Sequence, residues 1–420
     1  MSSLAEFLLR CGKGVAGSDV VDSIYTERLR NLGVQVNVEN NGESISNFDV
    51  VIYTDAIGQN DIQLCQAKKL GKPILSRGQL LYEISKNFKN VIAIAGCHGK
   101  TTCTSMLSHV FKAANKKFCA HIGGRDSTFK NLYFDGYDYL ITEACEYKKN
   151  FLLLKPDIAV ILSSRADHLE CYGSEKELVK SYKSFADSAH IKVCLYGDID
   201  MGGLTFGFDR NADYSARRIC EEQGIYSFYA YEGDCELGKI SLNVYGKHNI
   251  LNSLAAIAVA RSAQISFKHI QNGLLEFKGV ERRFENIGNV RGVTYIADYA
   301  HHPDEIKASI RSAKKLTSSK LYVVFQPHTY SRTKNLFKQF VSVLAQQRNL
   351  LIYRTYAARE YYDDAGSALT LSRHVKKSCY GEREQDIADF IVNAAEGDVV
   401  LFLGAGDIYD IAKRVLEKLK

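Results

Sequence analysis

No apolar run in this sequence reaches the roughly 18 residues that a membrane-spanning helix needs, so we predict no membrane insertion. The net charge is only +6 and no basic stripe is present, which argues against a nucleic-acid binder. The 11 cysteines include no C-x-x-C pair, which argues against a zinc knuckle. Because no signal peptide is present either, we expect free thiols in a reducing cytoplasm.

What is present is an ordinary globular composition, with 46% hydrophobic and 24% charged residues in 420, enough for two or three domains. Strand-like and helix-like segments alternate along the chain, so we predict an α/β fold. We place a small Rossmann-like domain at 1–88, a central α/β domain at 89–279 and a Rossmann-like domain at 280–420. In the first domain, FDVVIYTDAI (48–57) is predicted to be a strand buried on both faces.

The segment VIAIAGCHGKTT (91–102) combines a β-branched strand, a glycine turn and a helix start. Its short G-x-x-G-K-T spelling has two residues fewer between the glycines than the usual phosphate loop. In one interpretation Lys100 contacts the β- and γ-phosphates and the Thr101 hydroxyl binds Mg²⁺. In the other it is a plain turn with a surface lysine, and the motif alone leaves both open. The candidate phosphate-binding residues are Gly96, Cys97, His98, Gly99, Lys100, Thr101 and Thr102.

Two further polar groups follow neighbouring strands: Glu143 ends the strand before ACEY, and His168 comes shortly after DIAVILSS. Because the carboxyl ends of parallel strands face one crevice, we expect both to converge on Lys100 and Thr101. A carboxylate there suits Mg²⁺. The plainer interpretations are an exposed strand end for Glu143 and a capped loop for His168, and Glu146 fits either account.

Three polar residues stand at the start of the alanine-rich helix in KHNILNSLAA: His248, Asn249 and Asn252. An asparagine amide offers a donor and an acceptor side by side, which suits the edge of adenine. Capping of the helix is the plainer interpretation for at least one of them.

The third domain carries polar residues at its boundary and at strand ends. A guanidinium after the strand KLYVVFQP can bind a carboxylate or phosphate through two N–H groups. Each of these residues also has an interpretation as a cap or a surface charge. The group comprises Arg283, Asp298, Tyr299, His301, His302, His328 and Arg332.

In this order the motifs resemble the Mur ligases, the ATP-dependent amide-forming enzymes of peptidoglycan synthesis. The matching segments are GCHGKTT, EACEY, ADHLECYG, YGKHNILNSLAA, ERRFE, DYAHHPDE, FQPHTYSRT, YAAREYYDD and FLGAGD. The resemblance covers essentially the whole chain and is strongest to the branch that joins L-alanine to UDP-N-acetylmuramate. Tyr182 stands where other branches carry a carbamylated lysine, which fits that branch, whereas Cys97 departs from the family's usual threonine.

The resemblance implies ATP and Mg²⁺ as cofactors and assigns a role to each candidate. The implied catalytic residues are Lys100, Arg283 and His301. The implied nucleotide contacts are the phosphate loop with His248, Asn249, Asn252, Asp298 and Tyr299. The implied metal ligands are Thr101, Glu143 and His168. The implied substrate contacts are Ser18, Asp19, His328 and Arg332.

The implied reaction is ligation through an acyl phosphate, with UDP-N-acetylmuramate and L-alanine as substrates. Two alternatives stay open: a recycling ligase that attaches a tripeptide to the same sugar nucleotide, and a non-catalytic ATP-binding relative. Monomer and dimer are both compatible with the sequence. Family members open with a strand and a glycine turn near the UDP moiety, whereas this chain opens on a helix, so we expect a start codon upstream of Met1.

Overall fold

The computed structural model describes residues 1–38, 45–58, 60–164, 172–358 and 360–420. It has the α/β architecture that the alternating sequence pattern predicts. Contacts between Cα atoms divide the chain into two compact units. The first unit comprises Met1–Cys220, Ser227–Asn243 and His248–Lys278. The second unit comprises Glu221–Tyr226, Val244–Lys247 and Gly279–Lys420. Within the described ranges, no helix is long and apolar enough to cross a membrane.

The first unit opens with short strands and helices. They are α1 (Ser2–Arg10), β1 (Ala16–Ser18), α2 (Ile24–Asn31), β2 (Gln35–Asn37), β3 (Val51–Tyr53), α3 (Ile62–Lys69), β4 (Ile74–Ser76) and α4 (Arg77–Ser85). Strand β1 pairs in parallel with β2, and β3 with β4. The predicted doubly buried strand at 48–57 is wrong: β3 has three residues, all only partly buried. It belongs to a two-stranded sheet, which leaves it little cover.

The rest of the first unit is built on a large sheet. Its elements are β5 (Asn90–Ala95), α5 (Lys100–Ala113), β6 (Phe118–Asp126), β7 (Lys130–Phe134), β8 (Tyr139–Glu143), β9 (Ile158–Ile161), α6 (Glu175–Asp187), β10 (Ile191–Leu195), β11 (Leu204–Gly207), β12 (Tyr214–Glu222), β13 (Ile225–Glu232), β14 (Cys235–Tyr245), α7 (His248–Ser262) and α8 (Phe267–Glu276). The strand order is β14-β13-β12-β11-β10-β9-β5-β8-β6-β7.

Strand β5 lies inside this sheet, parallel to both β8 and β9. From Val91 to Ala95 no side chain is more than 5% exposed, as expected of an apolar strand covered on both faces. Helix α5 follows β5 and packs against α7 and α8. A Cβ atom on Gly273 of α8 would lie 2.4 Å from the Cα atom of Val110 in α5, so glycine permits this close approach.

The second unit is a six-stranded sheet with helices. Its elements are β15 (Glu285–Val290), β16 (Val293–Asp298), α9 (Pro303–Lys314), β17 (Leu321–Phe325), α10 (Tyr330–Asn335), α11 (Phe337–Leu344), β18 (Asn349–Tyr353), α12 (Ala368–His374), β19 (Ser378–Gly381), α13 (Glu384–Ile391), β20 (Val399–Leu403) and α14 (Ile408–Leu419). The strand order is β15-β16-β20-β17-β18-β19. All pairs are parallel except β15 with β16. The carboxyl ends of β16, β20 and β17 therefore meet at one edge, where open parallel sheets bind ligands.

Candidate functional site

A tight loop over residues 96–99 joins β5 to α5. Gly96 and Gly99 have φ angles of 126° and 86°, values that favour glycine. A Cβ atom on Gly96 would lie 2.9 Å from the backbone nitrogen of Ser163, just beyond β9. The Cys97 N–H donates to the Ser163 carbonyl oxygen at 3.1 Å. The loop is thus fixed against β9, and the N-terminus of the 14-residue helix α5 adds a partial positive charge that attracts anions.

Lys100 lies over this loop, with three acceptors around its ammonium group. The Nζ atom is 2.6 Å from the Gly96 carbonyl oxygen, 3.3 Å from that of Cys97 and 2.8 Å from Oε1 of Glu146. Burial lowers the pKa of Lys100, but the neighbouring Glu146 charge and hydrogen bond help to raise it, and the net shift is upward. Lys100 is therefore a protonated cation at neutral pH.

Glu146, which sequence reasoning did not assign, is the charged partner of that cation. It is 1% exposed, and its Oε2 atom has no hydrogen-bond partner among the described residues. The Tyr172 hydroxyl donates to the Glu146 carbonyl oxygen at 2.5 Å, which helps to fix the backbone. The signal in the sequence is the second carboxylate of EACEY, three residues beyond the end of β8.

Glu143 is the last residue of β8 and pairs in register with Ile94 of β5. Its Oε1 atom accepts the Gly123 N–H at 2.5 Å. Thr101 is 6% exposed in the first turn of α5. A hydroxyl and a carboxylate are oxygen ligands of the kind that Mg²⁺ prefers, so the chemistry of these two residues fits that ion. The third candidate ligand, His168, lies outside the described residues.

The start of helix α7 lies against the loop at residues 96–99. A Cβ atom on Gly99 would be 2.4 Å from Oδ1 of Asn252, so the amide is in close contact with the loop backbone. The Asn252 Nδ2 group donates to Oδ1 of Asn249 at 2.9 Å, and these two side chains are 6% and 5% exposed. His248, one position earlier, is exposed. The structure thus places Asn252 against the loop, with Asn249 bonded to Asn252.

Ser18 and Asp19 lie at the end of β1 and bond within the N-terminal part of the first unit. The Ser18 hydroxyl donates to Oε1 of Gln63 at 2.8 Å. The Asp19 carboxylate accepts the Val20 N–H at 2.8 Å, and its own N–H donates to the Asn37 carbonyl oxygen at 3.0 Å. These hydrogen bonds do not connect them to the loop at residues 96–99.

In the second unit, Asp298 ends β16 and accepts a hydrogen bond from the Ser309 hydroxyl of α9. Burial raises the pKa of Asp298 to about 6, while the Ser309 bond and the Arg283 charge act in the opposite direction. The guanidinium of Arg283 lies 4.9 Å from the centre of the Tyr299 ring, within cation–π range. Asp298, Tyr299 and Arg283 therefore form one cluster at the β16 end.

His301 adjoins that cluster. Its Nδ1 atom is 2.9 Å from the Tyr299 carbonyl oxygen. Because a carbonyl can only accept, Nδ1 carries the proton and Nε2 is the basic nitrogen. Burial lowers the pKa of His301 more than the Glu305 charge raises it, so the ring is neutral near pH 7. A neutral imidazole with a basic Nε2 can accept a proton.

His328, beyond the end of β17, extends the group. Its ring stacks on Tyr356 with 5.5 Å between centroids and lies 6.0 Å from the ring of His301. Arg332 places Nη1 3.3 Å from Nδ1 of His328. Burial, followed by the Arg332 charge, lowers the pKa of His328 to about 4, so this ring is also neutral at pH 7.

Two further residues of the second unit bear on the sequence predictions. Tyr356, missed as a site residue, packs on Gly406: a Cβ atom there would be 2.5 Å from its Cγ atom. The signals were the segments YAAREYYDD and FLGAGD, which meet here. His302, a candidate in the sequence, caps α9 by accepting the Asp304 N–H at 3.4 Å, as the plainer interpretation expects.

Family models match three consecutive parts of the chain. "Mur ligase family, catalytic domain" matches residues 1–89, "Mur ligase middle domain" residues 94–260, and "Mur ligase, glutamate ligase domain" residues 282–406. Among relatives, the UDP-N-acetylmuramate–L-alanine ligase of Clostridium beijerinckii is 38% identical over 440 residues, covering 99% of this chain and 95% of the relative. That of Clostridium acetobutylicum is 39% identical, covering 100% and 95%.

Solved structures agree with these matches. The UDP-N-acetylmuramate–alanine ligase of Thermotoga maritima has a TM-score of 0.86 at 27% identity, covering 100% of this chain and 96% of the other. A murein peptide ligase of Psychrobacter arcticus has a TM-score of 0.76 at 21% identity, a likeness that shows the fold alone. With these structures, full-length relatives and three family models in order, the chain belongs to the Mur ligase family.

Proposed function

We propose that this chain is an ATP-dependent ligase that joins L-alanine to the carboxylate of UDP-N-acetylmuramate in peptidoglycan precursor synthesis. The observation that supports this proposal most strongly is the contact of Lys100 with the loop bounded by Gly96 and Gly99. It occurs in a chain whose full-length relatives bear that activity in their names. The tripeptide-attaching alternative is less well supported, because the murein peptide ligase structure is 21% identical and the alanine ligase structure 27%.

The chemistry requires an activated acid, because attack of an amine on a free carboxylate would have to expel oxide. Transfer of the ATP γ-phosphoryl group to the carboxylate gives an acyl phosphate and ADP. The amine of L-alanine then attacks the acyl carbon, the amide C–N bond forms, and the C–O bond breaks to release phosphate. Such transfers depend mainly on positioning and on neutralising negative charge.

In this proposal the first unit binds the triphosphate. The N–H groups of residues 96–102 at the start of α5 surround the phosphates, and the Lys100 ammonium offsets their charge. Thr101 and Glu143, with His168, would hold Mg²⁺, which supplies further neutralisation of phosphate charge when bound. His248, Asn249 and Asn252 would contact the adenine, and the closeness of Asn252 to Gly99 supports this for one of them.

The second unit would supply the groups nearest the transferred atoms. Arg283, Asp298 and Tyr299 would contact the nucleotide, and Arg283 adds positive charge. His301, neutral with Nε2 basic, would accept the proton that the attacking amine loses. His328 and Arg332 would bind the muramate and the amino acid; their mutual contact at 3.3 Å makes them one polar group.

Other assignments complete the proposal. Ser18 and Asp19 would contact the UDP moiety. The functional division would follow residues 1–88, 89–279 and 280–420, for the sugar nucleotide, ATP and the ligation step. The enzyme would act in the cytoplasm, where ATP is supplied, and the described cysteines are all free thiols, which supports a reducing compartment.

The test is phosphate release from MgATP, measured with each substrate omitted in turn. Release should require both UDP-N-acetylmuramate and L-alanine; release that ignores either substrate contradicts the proposal. Supplying the tripeptide in place of L-alanine separates the recycling activity. Lys100→Ala should lower turnover by orders of magnitude, whereas a non-catalytic ATP-binding relative would show no turnover to lose.

A further inference from the structure

The hydrogen bonds of Lys100 limit how this residue can act on a phosphate. An ammonium group has three N–H donors, and the Gly96 carbonyl, the Cys97 carbonyl and Glu146 provide three acceptors. A phosphate oxygen that binds Lys100 must therefore share or replace one of them. The two carbonyls belong to the loop itself, so Glu146 is the competitor that comes from another element.

The Glu146 backbone is firmly placed. Its carbonyl oxygen accepts the Tyr172 hydroxyl at 2.5 Å and the Lys149 N–H at 2.9 Å. Two residues earlier, the Ala144 N–H donates to the Ile94 carbonyl oxygen at 2.9 Å, which continues the pairing with β5. Restraints on both sides of Glu146 keep its carboxylate beside the phosphate loop.

The carboxylate itself is incompletely satisfied. Oε1 accepts from Lys100 at 2.8 Å, while Oε2 is buried and has no hydrogen-bond partner among the described residues. Buried polar atoms are nearly always paired, and exceptions concentrate at functional sites. A negative charge placed here, with one oxygen unpaired within the described part of the chain, repels phosphate and competes for the same cation.

We propose that Glu146 is a positioning residue that restrains Lys100 and weakens the binding of ATP and ADP alike. The inference rests on the proposed function, because it assumes that the loop holds the phosphates of a nucleotide. Binding that is equally strong for substrate and product does not speed the reaction, and tight binding of ADP slows its release. A carboxylate opposing both nucleotides therefore favours turnover.

The test compares Glu146→Gln with the unchanged enzyme, using ADP as the probe in calorimetry and ATP in steady-state kinetics. The glutamine keeps the size and an acceptor but removes the charge. We expect the Kd for ADP to fall at least tenfold, because that factor needs only part of the repulsion between charges a few ångströms apart at an intermediate dielectric. The KM for ATP and kcat should fall together, leaving kcat/KM within about threefold.

Glu146→Asp moves the charge back by one methylene and should lower the Kd for ADP by a smaller factor, about twofold to threefold. If the glutamine variant does not fold, the Kd for ADP of Glu146→Asp still tests the inference. Glu417→Gln, the same change at an exposed site in the second unit, should leave Kd and kcat unchanged. A Kd for ADP that stays the same or rises in the Glu146 variants overturns the inference. Failure of the unchanged enzyme to bind ADP would instead contradict the proposed function.

Discussion

At the scale of single residues, one buried carboxylate links helix α5 to strand β6. Asp126 is fully buried at the end of β6. Its Oδ2 atom accepts the Ser105 hydroxyl at 2.5 Å and Nε2–H of His109 at 3.1 Å. Its Oδ1 atom accepts the N–H groups of Thr128 and Phe129 at 2.7 and 2.9 Å. Because Ser105 and His109 bind the same oxygen, this trio is a structural link between α5 and β6 and not a nucleophile with its base.

Asp126→Asn should destabilise the protein, because an amide cannot accept all four donors. Burial raises the pKa of Asp126, but the His109 and Ser105 hydrogen bonds help to lower it by more than burial raises it. The net pKa therefore lies below its ordinary 3.8. The ionised group therefore stabilises the fold above about pH 4, and this contribution is lost as pH falls through the folded-state pKa. We expect a loss of about 3 kcal/mol in the free energy of unfolding at pH 7, measured by urea unfolding.

The matched control is Asp135→Asn, which removes an exposed carboxylate paired with Lys117 at 3.2 Å. It should change the free energy of unfolding by less than about 0.5 kcal/mol. The difference between the Asp126 variant and the unchanged protein should shrink as the pH drops from 5 to 3. If the difference in the free energy of unfolding is constant over this range, the charge of Asp126 is not what stabilises the fold.

His301→Gln tests the proton acceptor. Glutamine can still hydrogen-bond but cannot take a proton, so we expect kcat to fall by about 100-fold or more with little change in the KM for ATP. In the unchanged enzyme, burial holds the pKa of His301 below its ordinary value, so any loss of activity from its protonation should set in at a lower pH than an ordinary imidazole would give.

His374→Gln is the control for that experiment. His374 also places Nδ1 2.9 Å from a backbone carbonyl, that of Thr370, but it is exposed on α12. Its replacement should leave kcat within a factor of about two. Equal losses in the two variants, or a large rise in the KM for ATP at position 301, would point to a structural role for His301.

At the scale of elements, the close packing of α8 on α5 depends on one glycine. A Cβ atom at position 273 would lie 2.4 Å from Cα and 2.6 Å from N of Val110. These are backbone atoms, which cannot avoid the clash by a change of rotamer. Gly273→Ala should therefore lower stability by about 2 kcal/mol, although alanine favours helix by about 1 kcal/mol. Because α5 carries Lys100, we also expect the Kd for ADP to rise several-fold.

Thermal melting and ADP calorimetry measure these two effects. Gly14→Ala is the control, because a Cβ atom there meets nothing within 4 Å and its φ is not positive. An alanine at 273 that melts at the same temperature as the unchanged protein would mean that the helices can move apart without loss.

Elements with a strong local pattern were predictable from the sequence. The apolar run of β5 and the glycines at 96 and 99 indicate a strand and a turn, and α5 begins at Lys100 as expected. The predicted strand at β3 was too long and too buried, because an apolar run such as FDVVIYTDAI does not reveal that its sheet has two strands. Periodicity reports which residues prefer burial and not how many neighbours a strand acquires.

At the scale of the whole molecule, the order of motifs indicated the family, but contacts between distant segments were not readable. Glu146 meets Lys100 across 46 positions of sequence. Tyr356 stacks on His328 and packs on Gly406, again from separate segments. No local pattern specifies such pairs, because they follow from the register of a sheet. Reasoning from the sequence therefore found residues that lie in a recognisable motif, such as Lys100 and His328, and missed the residues that contact them.

The two units have separate apolar cores, which contain Ala93, Leu140 and Phe151 in the first and Val323, Phe325 and Leu401 in the second. A ligand stabilises most strongly the unit whose unfolding abolishes its binding. Because the proposed phosphate-binding loop lies in the first unit, ADP at 100 times its Kd should stabilise that unit by about 2.7 kcal/mol. The second unit gains only the share of the binding free energy that its own contacts contribute.

Hydrogen exchange followed by mass spectrometry measures this difference in one experiment. With ADP, exchange in peptides from β5 and α5 should slow by up to about 100-fold, and exchange in β17 and β20 should slow much less. Lys100→Ala should remove the protection, because the phosphates lose the cation that holds them. Lys112→Ala, at the far end of the same helix, should keep it. Protection that is greatest in β17 and β20 would place the main phosphate contacts in the second unit and contradict the role of the loop.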